Sequence, residues 1–192
     1  MTASRAIKKI LETMSENGFF MAVNKPYILS ILLFVLSIAL ANQTVFALDK
    51  NALRIAISGM DRDITDFARD KARKPVDVLD FIGIEPGMSV LDLYAAGGYY
   101  TFILSKAVGE AGTVYAQNTP RGLSFQEDRQ ELTQGEVLNS KIELGNLNNV
   151  TQIIRPLAEI GLPENSLDAA IVAQTLHDSY NSNPQRSLNI LL

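Results

Sequence analysis

Two clusters of residues in this chain have the types and the spacing to do chemistry. The first is Asp92 followed by Gly97 and Gly98. Ser89 to Leu93 is a short apolar run broken by that one acid, the pattern of a buried parallel strand that delivers a carboxylate to its own C-terminal end. Two residues without a Cβ then let the backbone turn sharply and approach a ligand closely. Tyr99 to Val108 reads as a helix on Tyr100, Ile103, Leu104 and Ala107, so strand, glycine turn and helix make the first half of a nucleotide-binding crevice. The second cluster is Gln174-Thr-Leu-His-Asp-Ser-Tyr180, which holds the only histidine. An imidazole just past the end of a strand can serve as a general base, and Asp178 and Tyr180 stand beside His177 as proton partners. A packed or solvated histidine is the alternative.

These residues need a parallel sheet to bring them together, and the rest of the chain reads as one. The spacing predicts further strands over 113–116, ending at Gln117-Asn118, over 151–155 and over 168–173. Residues 51–74 read as two helical pieces broken near Ser58-Gly59, the second capped by Asp61 and lined on its apolar face by Ile64, Phe67, Ala68 and Ala72. Its other face, Arg62, Asp63, Asp66, Arg69, Asp70, Lys71, Arg73 and Lys74, alternates in sign, which suits a solvated helix laced with ion pairs. Pro75 starts a short helix through Val76, Val78, Leu79 and Phe81, and Pro86-Gly87 turns the chain into the first strand. Residues 122–141 are expected to be helical around Phe125, Leu132 and Val137.

Hydrophobic-hydrophobic-Asp-hydrophobic ahead of a glycine-rich loop resembles motif I of class I S-adenosylmethionine-dependent methyltransferases. Over roughly 51–183 the likeness narrows. Pro-Gly-Met-Ser-Val-Leu-Asp-Leu, Gly-Gly-Tyr-Tyr-Thr, Gly-Thr-Val-Tyr-Ala-Gln-Asn and Leu-His-Asp-Ser-Tyr are similar to a family of predicted methyltransferases often found behind export signals. The resemblance implies an α/β, Rossmann-like parallel sheet with flanking helices, S-adenosyl-L-methionine as cofactor and a small-molecule methyl acceptor. It places Asp92, Tyr94, Ala96, Gly97, Gly98 and Asn118 at the cofactor, Glu159 near the adenine amino group, and His177, Asp178 and Tyr180 at the acceptor. Tyr94 and Ala96 stand where the first two motif glycines belong, and only Gly98 keeps the third place. Asn118 stands where a carboxylate usually holds the ribose hydroxyls; an amide can donate and accept there but forfeits the charge-assisted bond. Asn118-Thr119-Pro120 as a plain turn is the other reading. A complete sheet of this class has seven strands. Four are countable in this chain, so the expectation is a domain truncated at its C-terminus, its fourth strand left at an unpaired edge.

Composition bounds the rest. The chain has 192 residues, 47% of them hydrophobic and 20% charged, enough for one ordinary domain. Arg5, Lys8, Lys9 and Lys25 with Glu12 and Glu16 precede residue 48, leaving 13 bases against 19 acids and a net charge of −6 beyond it. Such a balance argues against a nucleic-acid partner. Cysteine is absent, so there is no disulfide frame, and no metal site is expected. Residues 28–41 form an apolar run with small-residue exits after it, and at 1.5 Å rise it spans about 21 Å, short of the roughly 30 Å hydrocarbon core. This is the anatomy of a removed signal, which points to a periplasmic protein, with an inner-membrane anchor as the alternative. Translation is expected to start at Met21. The domains expected are 1–47 as signal or anchor with membrane contact through 28–41, 48–83 as an N-terminal helical region, and 84–192 as a partial methyltransferase domain. The competing function is a non-catalytic exported module that binds a small metabolite or nucleoside.

Overall fold

The computed structural model describes residues 47–127 and 131–175, which fall within one unit of the chain, Phe46–Leu192. The apolar run 28–41 and the cluster of His177, Asp178 and Tyr180 lie outside the described residues. Four strands, β1 (Ser89–Leu93), β2 (Thr113–Asn118), β3 (Val150–Ile154) and β4 (Ala169–Val172), form one sheet in the order β3-β2-β1-β4. All three pairings are parallel, with Val90 opposite both Val114 and Ala169 and Val114 opposite Val150. The expected α/β architecture is present. β1 lies inside the sheet, and Val90, Leu91, Asp92 and Leu93 are all buried, as a strand covered on both faces must be.

Helices α1 (Lys50–Ala56), α2 (Ile64–Arg73) and α3 (Pro75–Phe81) precede β1, and α4 (Tyr99–Val108) joins β1 to β2. Between β2 and β3 lie α5 (Pro120–Leu123) and α6 (Gln134–Leu144), and a short 3-10 turn, Leu157–Glu159, follows β3. Every residue of α4 except Lys106 is buried, because sheet and N-terminal helices cover it from both sides. Phe102, Ile103 and Leu104 of α4 meet Leu79, Val90 and Val114 in the core, each with no exposed surface. Burial of a side chain of this size contributes about 1.5–3 kcal/mol, so the fold closes on α4.

Two expectations fail on local chemistry. α2 is capped by Asp63, whose carboxylate accepts from the Thr65 amide at 2.7 Å; Asp61 instead pairs with Lys106 at 3.3 Å. The face expected to be buried is turned outward: Ile64 is 83% and Phe67 50% exposed, and Ala68 and Ala72 are exposed with them. The ionic face is the inner one. The other failure is at 122–141, where the chain makes two helices rather than one. An isolated antiparallel bridge between Gln126 and Thr133 folds the segment back. Thr133 then opens α6 with a capping box to Glu136, each residue satisfying the other's backbone amide. Phe125 and Leu132 are consequently half exposed, while Val137 is buried.

Candidate functional site

Residues 94–98 turn the chain from β1 into α4. Tyr94, Ala96 and Gly98 all have left-handed backbone, with φ of 52°, 51° and 82°. These are the three positions at which the motif calls for glycine, so the turn keeps the motif's conformation even where it lacks the glycines. The strand next door supplies the hold. Gln117 accepts from the Tyr94 amide at 3.1 Å and donates to the Arg155 carbonyl at 2.7 Å. Asn118 accepts from the Ala96 amide at 2.9 Å and donates to the Ala96 carbonyl at 3.3 Å. Lys141 of α6 donates to the Gly97 carbonyl at 2.7 Å. Left-handed backbone costs a residue with a Cβ roughly 1–2 kcal/mol, offset in part by the chain entropy that glycine adds to the unfolded state. Ala96→Gly is therefore expected to raise stability by about 0.5–1 kcal/mol in chemical denaturation; an unchanged or lower midpoint would mean that Ala96 stores no strain.

Asp92 is 2% exposed, and its carboxylate points toward α4 rather than out of the sheet. The Thr101 hydroxyl donates to Oδ2 at 2.6 Å, and the Thr101 backbone bonds to it as well. The acid thus satisfies the first turn of α4, where amides have no partner within the helix. Burial pushes its pKa from 3.8 up to about 7, outweighing both bonds from Thr101.

Above the turn lies the ionic face of α2. Asp66 has no exposed surface and pairs with Arg69 at 2.9 Å and with Lys141 at 2.6 Å. Arg69 reaches on to Glu127 at 3.4 Å. Arg62 grips Asp70 with two nitrogens, at 2.5 and 2.7 Å; burial works against its charge, but Asp70 more than compensates and its pKa is raised. The Tyr99 hydroxyl donates to Asp70 at 2.7 Å. Burial first, then that bond, pushes the phenol pKa up. The guanidinium of Arg73 lies 4.3 Å from the centre of the Tyr99 ring, with those of Arg62 and Arg69 at 5.4 and 5.8 Å. α2 therefore sits over the N-terminal end of α4, beside the glycine turn.

Of the residues expected at a ligand, Asp92, Tyr94, Ala96, Gly97, Gly98 and Asn118 are brought together at the C-terminal ends of β1 and β2. Glu159 lies in the 3-10 turn beyond β3 and is exposed. Four residues that sequence reasoning passed over have parts here: Thr101, Gln117, Glu127 and Lys141. Lys141 had a visible signal, since it falls three and four residues after Leu138 and Val137 on the buried face of α6. Gln117 had another, a polar residue at the C-terminal end of a strand, next to Asn118.

No protein-family model matches the chain, and no curated protein matches it. Among solved structures it is similar to an S-adenosylmethionine-dependent methyltransferase from Aquifex aeolicus, with 28% identity and a TM-score of 0.53 over 74% of this chain. The chain spans 65% of that protein's length. Weaker likenesses run to an O-methyltransferase from Thermotoga maritima, 23% identical over 51% of this chain and 33% of that one with a TM-score of 0.39. Another is fibrillarin from Aeropyrum pernix, 20% identical over 54% and 42% with a TM-score of 0.36. With their strand order, the turn at the end of β1 and the first of these likenesses, the described residues have the Rossmann-like, four-stranded arrangement of a class I S-adenosylmethionine-dependent methyltransferase fold.

Proposed function

We propose that this chain is an S-adenosylmethionine-dependent methyltransferase of exported type acting on a small-molecule acceptor. The observation that carries the reading is the turn of residues 94–98, held in the motif's left-handed conformation by Gln117, Asn118 and Lys141. The residues fit the cofactor. Gly97 and Gly98 present backbone without side chains at the end of β1, where open α/β sheets bind ligands. Asn118 spends one lone pair and one N–H on Ala96, so its amide retains a second of each for ribose hydroxyls.

When bound, S-adenosylmethionine supplies a methyl group activated on a sulfonium. The chain's own work is positioning, since holding two reactants at near-attack distance supplies most of the rate in such a transfer. A proton is removed only if the acceptor carries one, and His177, with Asp178 and Tyr180, is the base proposed for that step. Export through 28–41 belongs to the same proposal; among the described residues no helix is long and apolar enough to cross a membrane.

Calorimetric titration of the full chain with S-adenosylhomocysteine tests the reading. Saturable binding, competed by S-adenosylmethionine, is expected, and Gly97→Val should weaken it at least tenfold, because a branched side chain there meets Glu127 and Val137. Absence of saturable binding to the wild-type chain would overturn the proposal.

A further inference from the structure

The apolar stripe of α2 points away from the protein. Ile64, Phe67, Ala68 and Ala72 recur on one face at helical spacing, and all four are exposed. Met60, four residues before the helix, is fully exposed with them. Lys71 lies on the same face and Lys74 caps the helix; both are exposed, and among the described residues neither ammonium pairs with a carboxylate. The acids of α2 go the other way. Asp66 pairs with Arg69 and Lys141, Asp70 with Arg62, and Asp63 caps the helix. Although the chain beyond residue 47 is acidic as a whole, this face presents apolar side chains beside free cations. That is the pattern of a helix lying in the interface of an anionic bilayer, where lysine stems follow the apolar surface and their ammonium groups reach the headgroups.

We propose that the outer face of α2, with Met60, Ile64, Phe67, Lys71 and Lys74, docks on a membrane surface rich in anionic lipid. The inference rests on the export reading of 28–41. That run ends nine residues before Lys50, where α1 begins, and a chain of that length spans at most about 30 Å. While the run is in a membrane, the lipid surface is therefore within reach of the helices that follow. Tethering makes the second contact intramolecular, so a patch of three large apolar side chains and two lysines suffices where the same patch on a free protein would bind weakly.

The chain has no tryptophan, so a single introduced one reports its own surroundings. The full chain is reconstituted with vesicles of phosphatidylglycerol and phosphatidylcholine brominated at the upper acyl carbons. Ile64→Trp and Phe67→Trp should each be quenched, whereas Glu110→Trp, exposed just past the far end of α4, should not. Adding Lys71→Glu and Lys74→Glu should lower the docking constant, read from the quenched fraction, about tenfold or more, and vesicles of phosphatidylcholine alone should do the same. Quenching of Ile64→Trp and Phe67→Trp no greater than that of Glu110→Trp, in a chain that still floats with the vesicles, would overturn the inference and leave the export reading standing. Quenching indifferent to lipid charge and to both lysine substitutions would overturn it as well. So would a blue-shifted emission in vesicle-free solution where the chain sediments as a dimer, which gives the face to a second copy. A chain that does not float with vesicles overturns the export reading, and this inference with it.

Discussion

Asp66→Ala is expected to lower stability by about 3–5 kcal/mol, the range for removing one partner of a buried ion pair. The magnitude follows from what the change leaves behind. Asp66 has no exposed surface, and both of its oxygens are occupied, one by Arg69 at 2.9 Å and one by Lys141 at 2.6 Å. The side chain of Lys141 is 8% exposed, so without Asp66 its ammonium would remain buried with only the Gly97 carbonyl to face. An exposed pair between α1 and α3 gives the contrast. Arg54 and Asp77, 2.9 Å apart with side chains about half exposed, belong to the class worth between nothing and 1 kcal/mol. Chemical denaturation of Asp66→Ala and Asp77→Ala side by side checks the difference; equal losses would mean that the inner pairs are solvated like the outer ones.

Asp92 sets the second large effect, and its sign is opposite to that of an ordinary paired acid. Burial raises its folded pKa to about 7 from 3.8, so between these values the folded chain holds a proton that the unfolded chain releases. Its contribution to stability is therefore fully present below about pH 4, falls as pH rises toward 7, and is absent above that. At 1.36 kcal/mol per pKa unit the swing is on the order of 4 kcal/mol. Asp92→Asn keeps an acceptor for the Thr101 hydroxyl and has nothing to ionise. Across pH 4 to 8 the stability of wild type minus that of Asp92→Asn should fall steadily, the variant being the more stable at pH 8. A difference that stays level, or rises with pH, would show that the carboxylate is charged and solvated in the fold.

Much of the frame around the turn was legible because it is written locally. An apolar run, two glycines and a helical apolar pattern lie within twenty residues, and β1 and α4 form over Ser89–Leu93 and Tyr99–Val108 as read. The orientation of α2 was not legible. A hydrophobicity pattern assigns Ile64 and Phe67 to the interior because it scores each charge as a cost, whereas Asp66, Arg69, Lys141 and Glu127 bury one another in opposite-sign pairs. Glu127 and Lys141 lie far along the chain from Asp66 and Arg69, and only the fold shows that they meet. The resemblance places Asp92 at the cofactor; in the fold its carboxylate accepts from the Thr101 hydroxyl, nine residues on, a contact that the sequence pattern does not display. Tyr94 and Ala96 looked like losses from the motif, yet both take up its backbone conformation, because Gln117 and Asn118 fix the turn from outside.

The strand order has a kinetic side. Val90 finds Val114 across a separation of 24 residues that contains α4, but it finds Ala169 only across 79. Closing the longer loop costs about 1 kcal/mol more, since loop entropy grows only with the logarithm of length. The finished sheet hardly registers that difference, whereas a chain searching for its partners does, because distant contacts must be reached before they stabilise anything. β1, α4 and β2 thus make the natural nucleus, complete with the strained turn between them, and β4 docks late onto a strand already held from its other side.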